Sequence, residues 1–325
     1  MAEKLKFGFF WTASCGGCEI AVVDINEKIL DVVAHADIVL WPVAMDVKYD
    51  DVRAMPDGFM DVCFSNGSVR NSEQEELVKL IRRKTKALVA FGACAHQGSI
   101  PALANLYDRE DILATAYNRT PSTENPDRTR PRTVTRVKQG DLTLPEFYDH
   151  VYALDQVVDV DYYLPGCPPP VPLILDAVTA IFEGKLPPKG TVLAPAKTLC
   201  DECERNKHVA KKMPDIKCTW EIKADMEKCF LEQGIICMGP ATRAGCQTRC
   251  INGNQPCSGC MGPSPEVSDQ GAKMISALSG ILRVDDEKDL SEQDYAGLVN
   301  KLKDPAGTFY MYSLAKATIN QRSLR

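Results

Sequence analysis

The sequence predicts an α/β fold: a doubly wound, mostly parallel sheet, followed by a cysteine-rich region with little regular structure and by C-terminal helices. Through the first 195 residues, short apolar runs that stop at glycine or at small polar loops alternate with helical segments, as they do in parallel sheets. Six of the 14 cysteines then fall between Cys229 and Cys260, among glycines, prolines and polar residues. Because this segment lacks apolar periodicity, we expect disulfides, structural zinc or iron–sulfur clusters to hold it together.

Five apolar runs are predicted as strands, and each stops at a turn-forming residue or a small polar loop. They cover residues 5–10, 38–43, 62–64, 87–91 and 160–164. Three helices are predicted between and after them, at residues 19–33, 71–84 and 171–182. The second of these has a capping residue at Asn71 or Ser72, acids in its first turn and bases in its last. This alternation predicts a first domain at residues 1–195 and a second at 196–325.

Two further helices are predicted in the tail, at residues 267–282 and 290–302, because both segments have capping-box starts and apolar faces. We expect them to pack over the cysteine-rich region or a partner. Residues 108–145 are polar and rich in proline and arginine, which predicts irregular structure. A solvated surface insertion is favoured there over a partner-docking loop.

The composition is that of a soluble globular chain, with 45% hydrophobic and 25% charged residues. The net charge of −6 argues against binding to nucleic acid or to an anionic membrane surface. No apolar run reaches the roughly 18 residues that a bilayer-spanning helix needs, and no secretion signal is evident, so we expect a cytoplasmic protein. Thiols stay reduced in that compartment, which favours metal binding or redox chemistry over disulfides.

Four cysteines follow predicted strands, at the edge of the sheet where ligands gather in parallel α/β folds. Cys15 and Cys18 lie in the loop CGGC, Cys94 in FGACAHQG and Cys167 in LPGCPPP. Each loop carries glycine beside the thiol, which lets the backbone approach a bulky inorganic core and aim N–H groups at its sulfurs. Four thiolates suit a cubane iron–sulfur cluster or zinc. Iron is favoured, because structural zinc usually takes two close Cys-x2-Cys pairs rather than single thiols on separate strands.

Nine cysteines stand from Cys200 onward, including the Cys-x2-Cys pairs Cys200/Cys203 and Cys257/Cys260. Eight of them would fill two further cubanes and leave Cys218 spare. We expect Cys218 to be structural or exposed, and Cys63, inside a strand with apolar neighbours, to be a buried core thiol.

Five motifs in order, ASCGGCE, FGACAHQGSIP, LPGCPPP, CMGP and QPCSGC, resemble the small, iron–sulfur subunit of [NiFe] hydrogenases. The resemblance covers about residues 5–265. It implies a flavodoxin-like N-terminal domain, a cluster-carrying iron-sulfur domain after it, and three [4Fe-4S] clusters. These clusters would move electrons away from a nickel–iron centre on a separate large subunit.

The resemblance also implies the ligands of each cluster. The proximal cluster would take Cys15, Cys18, Cys94 and Cys167. The medial cluster would take Cys246, Cys257 and Cys260, with Cys250 as the fourth ligand. The distal cluster would take Cys200, Cys203, Cys229 and Cys237. Many periplasmic relatives have histidine where Cys200 stands, and relatives with three medial cysteines hold a three-iron cluster, so Cys200 and Cys250 are departures.

Within that family the chain is most similar to the cytoplasmic, methyl-viologen-reducing and deazaflavin-non-reducing branch of methanogenic archaea. That likeness implies a large-subunit partner and a small iron–sulfur acceptor subunit that feeds heterodisulfide reductase. Deazaflavin-reducing and NAD-reducing hydrogenases remain alternatives. Outside the family, a zinc-stabilised scaffold or a quinone-linked oxidoreductase subunit are the competing classes. Glu19, directly after Cys18, either lies near the large-subunit interface or is simply an acid at a helix N-terminus.

Overall fold

A five-stranded parallel sheet forms the first part of the molecule in the computed structural model, which describes residues 3–207, 212–282 and 291–320. The strands are β1 Leu5–Trp11, β2 Ala36–Leu40, β3 Met60–Asn66, β4 Val69–Asn71, β5 Thr85–Phe91, β6 Val134–Val137, β7 Gly140–Thr143, β8 Phe147–Tyr152 and β9 Tyr162–Leu164. The main sheet has the order β2-β1-β3-β5-β9, and all four of its pairings are parallel. The strand order reverses at β1, which confirms the predicted doubly wound α/β fold.

Helices pack on both faces of this sheet and continue into the second half. They are α1 Gly17–Val23, α2 Ile29–His35, α3 Tyr49–Ala54, α4 Ser72–Lys84, α5 Ala93–Gln97, α6 Arg109–Ala114, α7 Val171–Phe182, α8 Arg249–Asn252, α9 Gln270–Ser279, α10 Glu292–Val299 and α11 Pro305–Tyr310. The predicted bounds of α4 and α7 agree with the structure. Asn71 caps α4, since its side chain accepts a hydrogen bond from the N–H of Gln74 at 2.8 Å.

The single helix predicted at residues 19–33 is wrong. The structure has two helices there, α1 and α2, separated by a turn in which Asn26 takes a positive φ of 55°. The apolar residues of this stretch fit helical spacing only loosely, so one continuous helix could not present a single buried face. The strand predicted at 38–43 also starts earlier, because α2 runs directly into β2. It ends before Pro42, which has no N–H to donate to the ladder.

Two apolar cores lie on the two faces of the sheet. One contains Phe7, Phe9, Phe64 and Phe91 together with α1, α2 and α7. The other packs α3 and α4 against the opposite side chains of the same strands, Cys63 among them. This rigid sheet fixes the positions of the loops that follow β1, β5 and β9.

The segment predicted as irregular, residues 108–145, contains regular structure. It holds α6, whose first turn is capped by the side chain of Asp108, and the antiparallel hairpin β6–β7. Every residue of both hairpin strands is exposed, so the hairpin lies on the surface, as both a solvated insertion and a docking loop would. Turn and cap residues stabilise these short elements without any apolar periodicity, which is why the pattern gave no sign of them.

The cysteine-rich region has little regular structure, as predicted. It nevertheless packs around a third apolar core, which contains Phe230, Leu231 and Met238 and receives Met274 and Leu278 from α9. This confirms that the first tail helix covers the cysteine-rich region. None of the helices within the described ranges combines the length and apolar character needed to cross a bilayer.

Candidate iron–sulfur sites

The first group of thiols lies at the carboxyl edge of the sheet. Cys15 is in the loop after β1, Cys18 in α1, Cys94 in α5 directly after β5, and Cys167 just after β9. Burial raises the pKa of the Cys94 thiol to about 12, and the neighbouring thiols of Cys167 and Cys15 add to the rise. Burial and the other three thiols likewise raise the pKa of Cys18. The fold therefore brings together the four cysteines that the strand topology predicted would meet.

Backbone approaches sulfur closely at two glycines beside these thiols, and at Gly92 the approach requires glycine. Gly92 has a φ of 87°, and a Cβ there would collide with the sulfur of Cys18. At Gly17, the N–H donates to Sγ of Cys15 at 3.4 Å. The predicted close approach of backbone to sulfur is thus present at both positions.

The second group lines a small cavity of about 20 Å³ in the cysteine-rich region. Its walls carry the thiols of Cys200, Cys203, Cys229 and Cys237, with Phe230 among the apolar residues around them. Burial raises the pKa of Cys237 to about 11, against the effect of two N–H donors, from Gly239 and Cys257. Gly239 fits closely, because a Cβ there would lie 3.1 Å from Sγ of Cys200.

The third group consists of Cys246, Cys250, Cys257 and Cys260, between the other two. Burial raises the pKa of Cys260 to about 12, and the thiols of Cys246 and Cys250 add to the rise. The thiol of Cys257, whose pKa burial raises well above its usual value, also interacts with Cys260. Cys250 lies at the exposed side of the group.

Backbone N–H groups that face sulfurs link the three groups in series. The backbone N–H of Cys167, in the first group, faces the sulfur of Cys260 in the third and acts to lower its pKa. The N–H of Cys257, in the third group, donates to Sγ of Cys237 in the second at 3.3 Å. The order along the molecule is therefore the sheet-edge group, then the 246–260 group, then the 200–237 group.

The donor set fits iron–sulfur clusters. In each group the thiols lie near one another, and backbone N–H groups face sulfurs, as cluster sites require. Across residues 3–207, 212–282 and 291–320, no three His, Cys, Asp or Glu side chains stand in a group that could hold a single metal ion.

The two remaining cysteines lie outside these groups. Cys63 is fully buried in the sheet core, and burial raises its pKa to about 12, which confirms the predicted core thiol. Cys218 is partly exposed. The structure thus places both spare thiols as the sequence predicted.

Glu19 is buried, with 3% of its surface exposed. Its carboxylate accepts hydrogen bonds from the indole N–H of Trp41 and, at 2.6 Å, from the amide of Asn66. Burial raises its pKa despite these two donors. The role of Glu19 is therefore not limited to its place at a helix N-terminus. Its carboxylate connects α1 to the ends of β2 and β3 through these two hydrogen bonds.

Comparisons with known proteins bear on the family and fold of the chain. A family model described as "NADH ubiquinone oxidoreductase, 20 Kd subunit" matches residues 15–181. The chain is 42% identical, over 98% of each chain, to the iron-sulfur subunit of the F420-non-reducing hydrogenase of Archaeoglobus profundus. It is 37% identical to the corresponding F420-non-reducing hydrogenase subunit of Methanothermobacter thermautotrophicus, over 98% of this chain and 97% of the relative.

The chain belongs to the family of F420-non-reducing hydrogenase iron–sulfur subunits. Among solved structures, a chain of the recombinant [NiFeSe] hydrogenase from Desulfovibrio vulgaris Hildenborough shares the fold, with a TM-score of 0.51 and 17% identity. The match covers 81% of this chain and 94% of that one. The sequence-based recognition of a hydrogenase small subunit is confirmed, and so is its class as a subunit of an oxidoreductase.

Two polar residues of this hydrogenase subunit escaped the sequence analysis. Thr242 and Gln270 are buried between the second and third thiol groups, and the Thr242 hydroxyl lies 3.8 Å from Sγ of Cys257. Gln270 is 28 positions away in sequence, on α9, yet its amide reaches the same hydroxyl. No local pattern marks either residue, because their contact is created by the packing of α9.

Proposed function

We propose that this chain is the electron-transfer subunit of a [NiFe] hydrogenase. It would relay electrons from H2 oxidation on a large subunit, through three [4Fe-4S] clusters, to a small iron–sulfur partner that feeds heterodisulfide reductase. The observation that carries the proposal is the serial arrangement of three four-thiol groups. The N–H of Cys257 donates to Sγ of Cys237 at 3.3 Å between the third group and the second, and the N–H of Cys167 faces the sulfur of Cys260 between the first group and the third. The full-length similarity to F420-non-reducing hydrogenase subunits supports it.

Each thiol group has a proposed role. The proximal ligands are Cys15, Cys18, Cys94 and Cys167; the medial ligands are Cys246, Cys250, Cys257 and Cys260; and the distal ligands are Cys200, Cys203, Cys229 and Cys237. When bound, each cluster supplies a site that accepts and releases one electron. The protein would hold the sulfurs as thiolates and direct N–H donors at them, and ten of the twelve cysteines are buried or partly buried.

The proximal end is the proposed docking surface for the large subunit. Cys15 is exposed there, and large apolar side chains around the same edge of the sheet are exposed as well: Trp11, Ile20, Val23 and Val43. Ile20 and Val23, on α1, have 61% and 60% of their surface exposed. Apolar residues grouped beside a site that must exchange electrons with a partner are typical of a protein interface.

The distal end is the proposed docking surface for the electron acceptor. Trp220 and Met226, exposed to 79% and 60%, lie on the segment 218–228. That segment is held against the distal site by Arg205, whose guanidinium donates to the carbonyl of Asp225 at 3.2 Å and stacks over Phe230. Exposed tryptophan and methionine are favoured in interface centres.

Anaerobic purification with native partners tests the proposal. We expect about twelve irons and matching sulfide per chain, and a nickel-containing large subunit in the same preparation. The substitution Cys18→Ser should abolish H2-dependent reduction of viologen dye, while Cys218→Ser, the control, leaves it unchanged. A folded chain that carries zinc and no iron would favour the scaffold alternative. Viologen reduction at the normal rate by Cys18→Ser would contradict the proximal assignment.

The acceptor distinguishes the members of the family. Reduction of a small iron–sulfur partner, and not of deazaflavin or NAD, is the expected result for the purified complex. We also propose a cytoplasmic location and a division of the chain into residues 1–195 and 196–325. The first domain would then carry the proximal cluster, and the second the medial and distal clusters.

A further inference from the structure

We propose that the hydroxyl of Thr242 donates a hydrogen bond to the Cys257 thiolate and thereby raises the reduction potential of the medial cluster. Thr242 is a positioning residue in this role, since it acts on the cluster through one of its ligands. The inference rests on the proposed function, because it requires that Cys257 bind iron.

The hydroxyl lies at the junction of the medial and distal sites. Thr242 is fully buried, and its Oγ1 lies 3.8 Å from Sγ of Cys257 and 2.6 Å from the carbonyl oxygen of Met238, next to the distal ligand Cys237. The amide Nε2 of Gln270 donates to Oγ1 at 3.1 Å. With Cys257 as a thiol, its S–H donates to Oγ1 and the hydroxyl proton points to Met238.

Iron binding reverses the first of these hydrogen bonds. A thiolate has no proton, so Cys257 can then only accept, and the hydroxyl proton can turn toward it. A hydrogen bond to a charged acceptor is about twice as strong as one to a neutral carbonyl, which favours the sulfur over Met238. Gln270 keeps the hydroxyl oxygen in place, because its Nε2 also donates to the carbonyls of Gly259 and Gly262, at 2.9 and 3.0 Å.

The direction of the effect follows from charge. Reduction adds negative charge to a cluster and its thiolates, so a donor to one thiolate stabilises the reduced state more than the oxidised one. Loss of this donor must therefore move the midpoint potential of the medial cluster to a more negative value. Among the described residues, the Thr242 hydroxyl makes no hydrogen bond to a proposed ligand of the proximal or the distal cluster.

The substitution Thr242→Val isolates this hydrogen bond with little structural cost. The carbonyl of Met238 still accepts the N–H of Ala241 at 3.0 Å, and Gln270 retains both of its carbonyl partners. The substitution leaves the backbone of residue 242 unchanged: its N–H still donates to the carbonyl of Gly239, and its carbonyl still accepts from the N–H of Leu199. Valine also has nearly the shape of threonine. Thr242→Ser keeps the hydroxyl and should keep the wild-type midpoint potential of the medial cluster.

Thr85→Val is a matched control. Thr85 is also buried, with 3% of its surface exposed, and its hydroxyl lies near a cysteine without a hydrogen bond to it. That cysteine is Cys63, which lies outside the three thiol groups. The same chemical change is thus made beside a thiol that holds no cluster.

The experiment is an anaerobic redox titration of the whole complex, followed by electron paramagnetic resonance. In Thr242→Val we expect a more negative midpoint for one cluster, the one whose signal Cys250→Ser also alters, and wild-type values in Thr242→Ser and Thr85→Val. An unshifted medial cluster, an equal shift in all three clusters, or the same shift in Thr242→Ser would overturn the inference and leave the relay intact. Wild-type protein without cluster signals would instead overturn the proposed function.

Discussion

The backbone N–H of Cys257 donates to Sγ of Cys237 at 3.3 Å, and the N–H of Met238 donates back to the carbonyl oxygen of Cys257 at 2.9 Å. The loops that carry the proposed medial and distal ligands are therefore paired along their backbones. Neither loop can shift without disturbing the other. This pairing gives the two sites a fixed separation that does not depend on flexible side chains, which a relay between them requires.

Cys250 provides the first prediction, because it is the proposed fourth medial ligand and the most exposed of its group. Replacement by alanine, which cannot bind iron, should leave three thiolates and convert the medial cluster to a three-iron form. We expect about one iron fewer per chain and a new paramagnetic signal in the oxidised protein. Cys218→Ala is the control. Unchanged iron content in Cys250→Ala would mean that another group completes the medial site.

Cys63 tests the boundary of the ligand set. The substitution Cys63→Ser places a hydroxyl in a fully buried apolar site and should lower the free energy of unfolding by about 1–3 kcal/mol. Iron content should stay at the wild-type level. Denaturant unfolding and iron analysis of the same preparation check both expectations, and a loss of about four irons would show that Cys63 serves a cluster.

The sequence predicted the first thiol group well for a topological reason. The carboxyl ends of parallel strands meet at one edge of a sheet, so Cys15, Cys94 and Cys167 had to approach each other once β1, β5 and β9 were recognised. The α4 helix was equally predictable, since its cap and charges are local signals. The grouping of the later cysteines came only from a resemblance, because their loops have no periodicity that places them.

Contacts between distant segments account for what the sequence could not predict. The burial of Glu19 depends on Trp41 and Asn66, which reach it from the ends of two strands. The contact of Thr242 with Gln270 depends on how α9 packs. Hydropathy patterns do not predict such polar pairs, since each residue alone is compatible with a surface position.

Asp161 provides a prediction for stability against pH. Its carboxylate lies 2.6 Å from a guanidinium nitrogen of Arg82 and 2.6 Å from Nζ of Lys189 and accepts the N–H of Leu88 at 2.8 Å, between β9 and β5. Burial acts to raise its pKa, but these donors outweigh it and hold the pKa below the usual value. The substitution Asp161→Asn should lower the free energy of unfolding by about 2 kcal/mol at pH 7.

The pH dependence follows from the lowered pKa of Asp161. The carboxylate contributes its full stability above the unfolded-state pKa of about 3.9, and the contribution is lost as pH falls through the lower, folded-state pKa. The difference between wild type and Asp161→Asn should therefore be constant from pH 7 to about 5 and shrink below about 4. Thermal unfolding of both proteins across this range measures it. A difference that grows on acidification would contradict the assignment.

Trp220 and Trp11 test the two proposed docking surfaces against each other. Trp220 is 79% exposed near the distal site, and Trp11 is 40% exposed near the proximal site. A tryptophan at the centre of an interface contributes about 2 kcal/mol or more, so Trp220→Ala should raise the KM for the protein acceptor about 30-fold. Its H2-dependent viologen reduction should stay at the wild-type rate. Trp11→Ala should weaken binding of the large subunit. In the intact complex it should leave the KM for the protein acceptor unchanged. If both variants affect the same step, the two ends of the relay are not where the thiol groups place them.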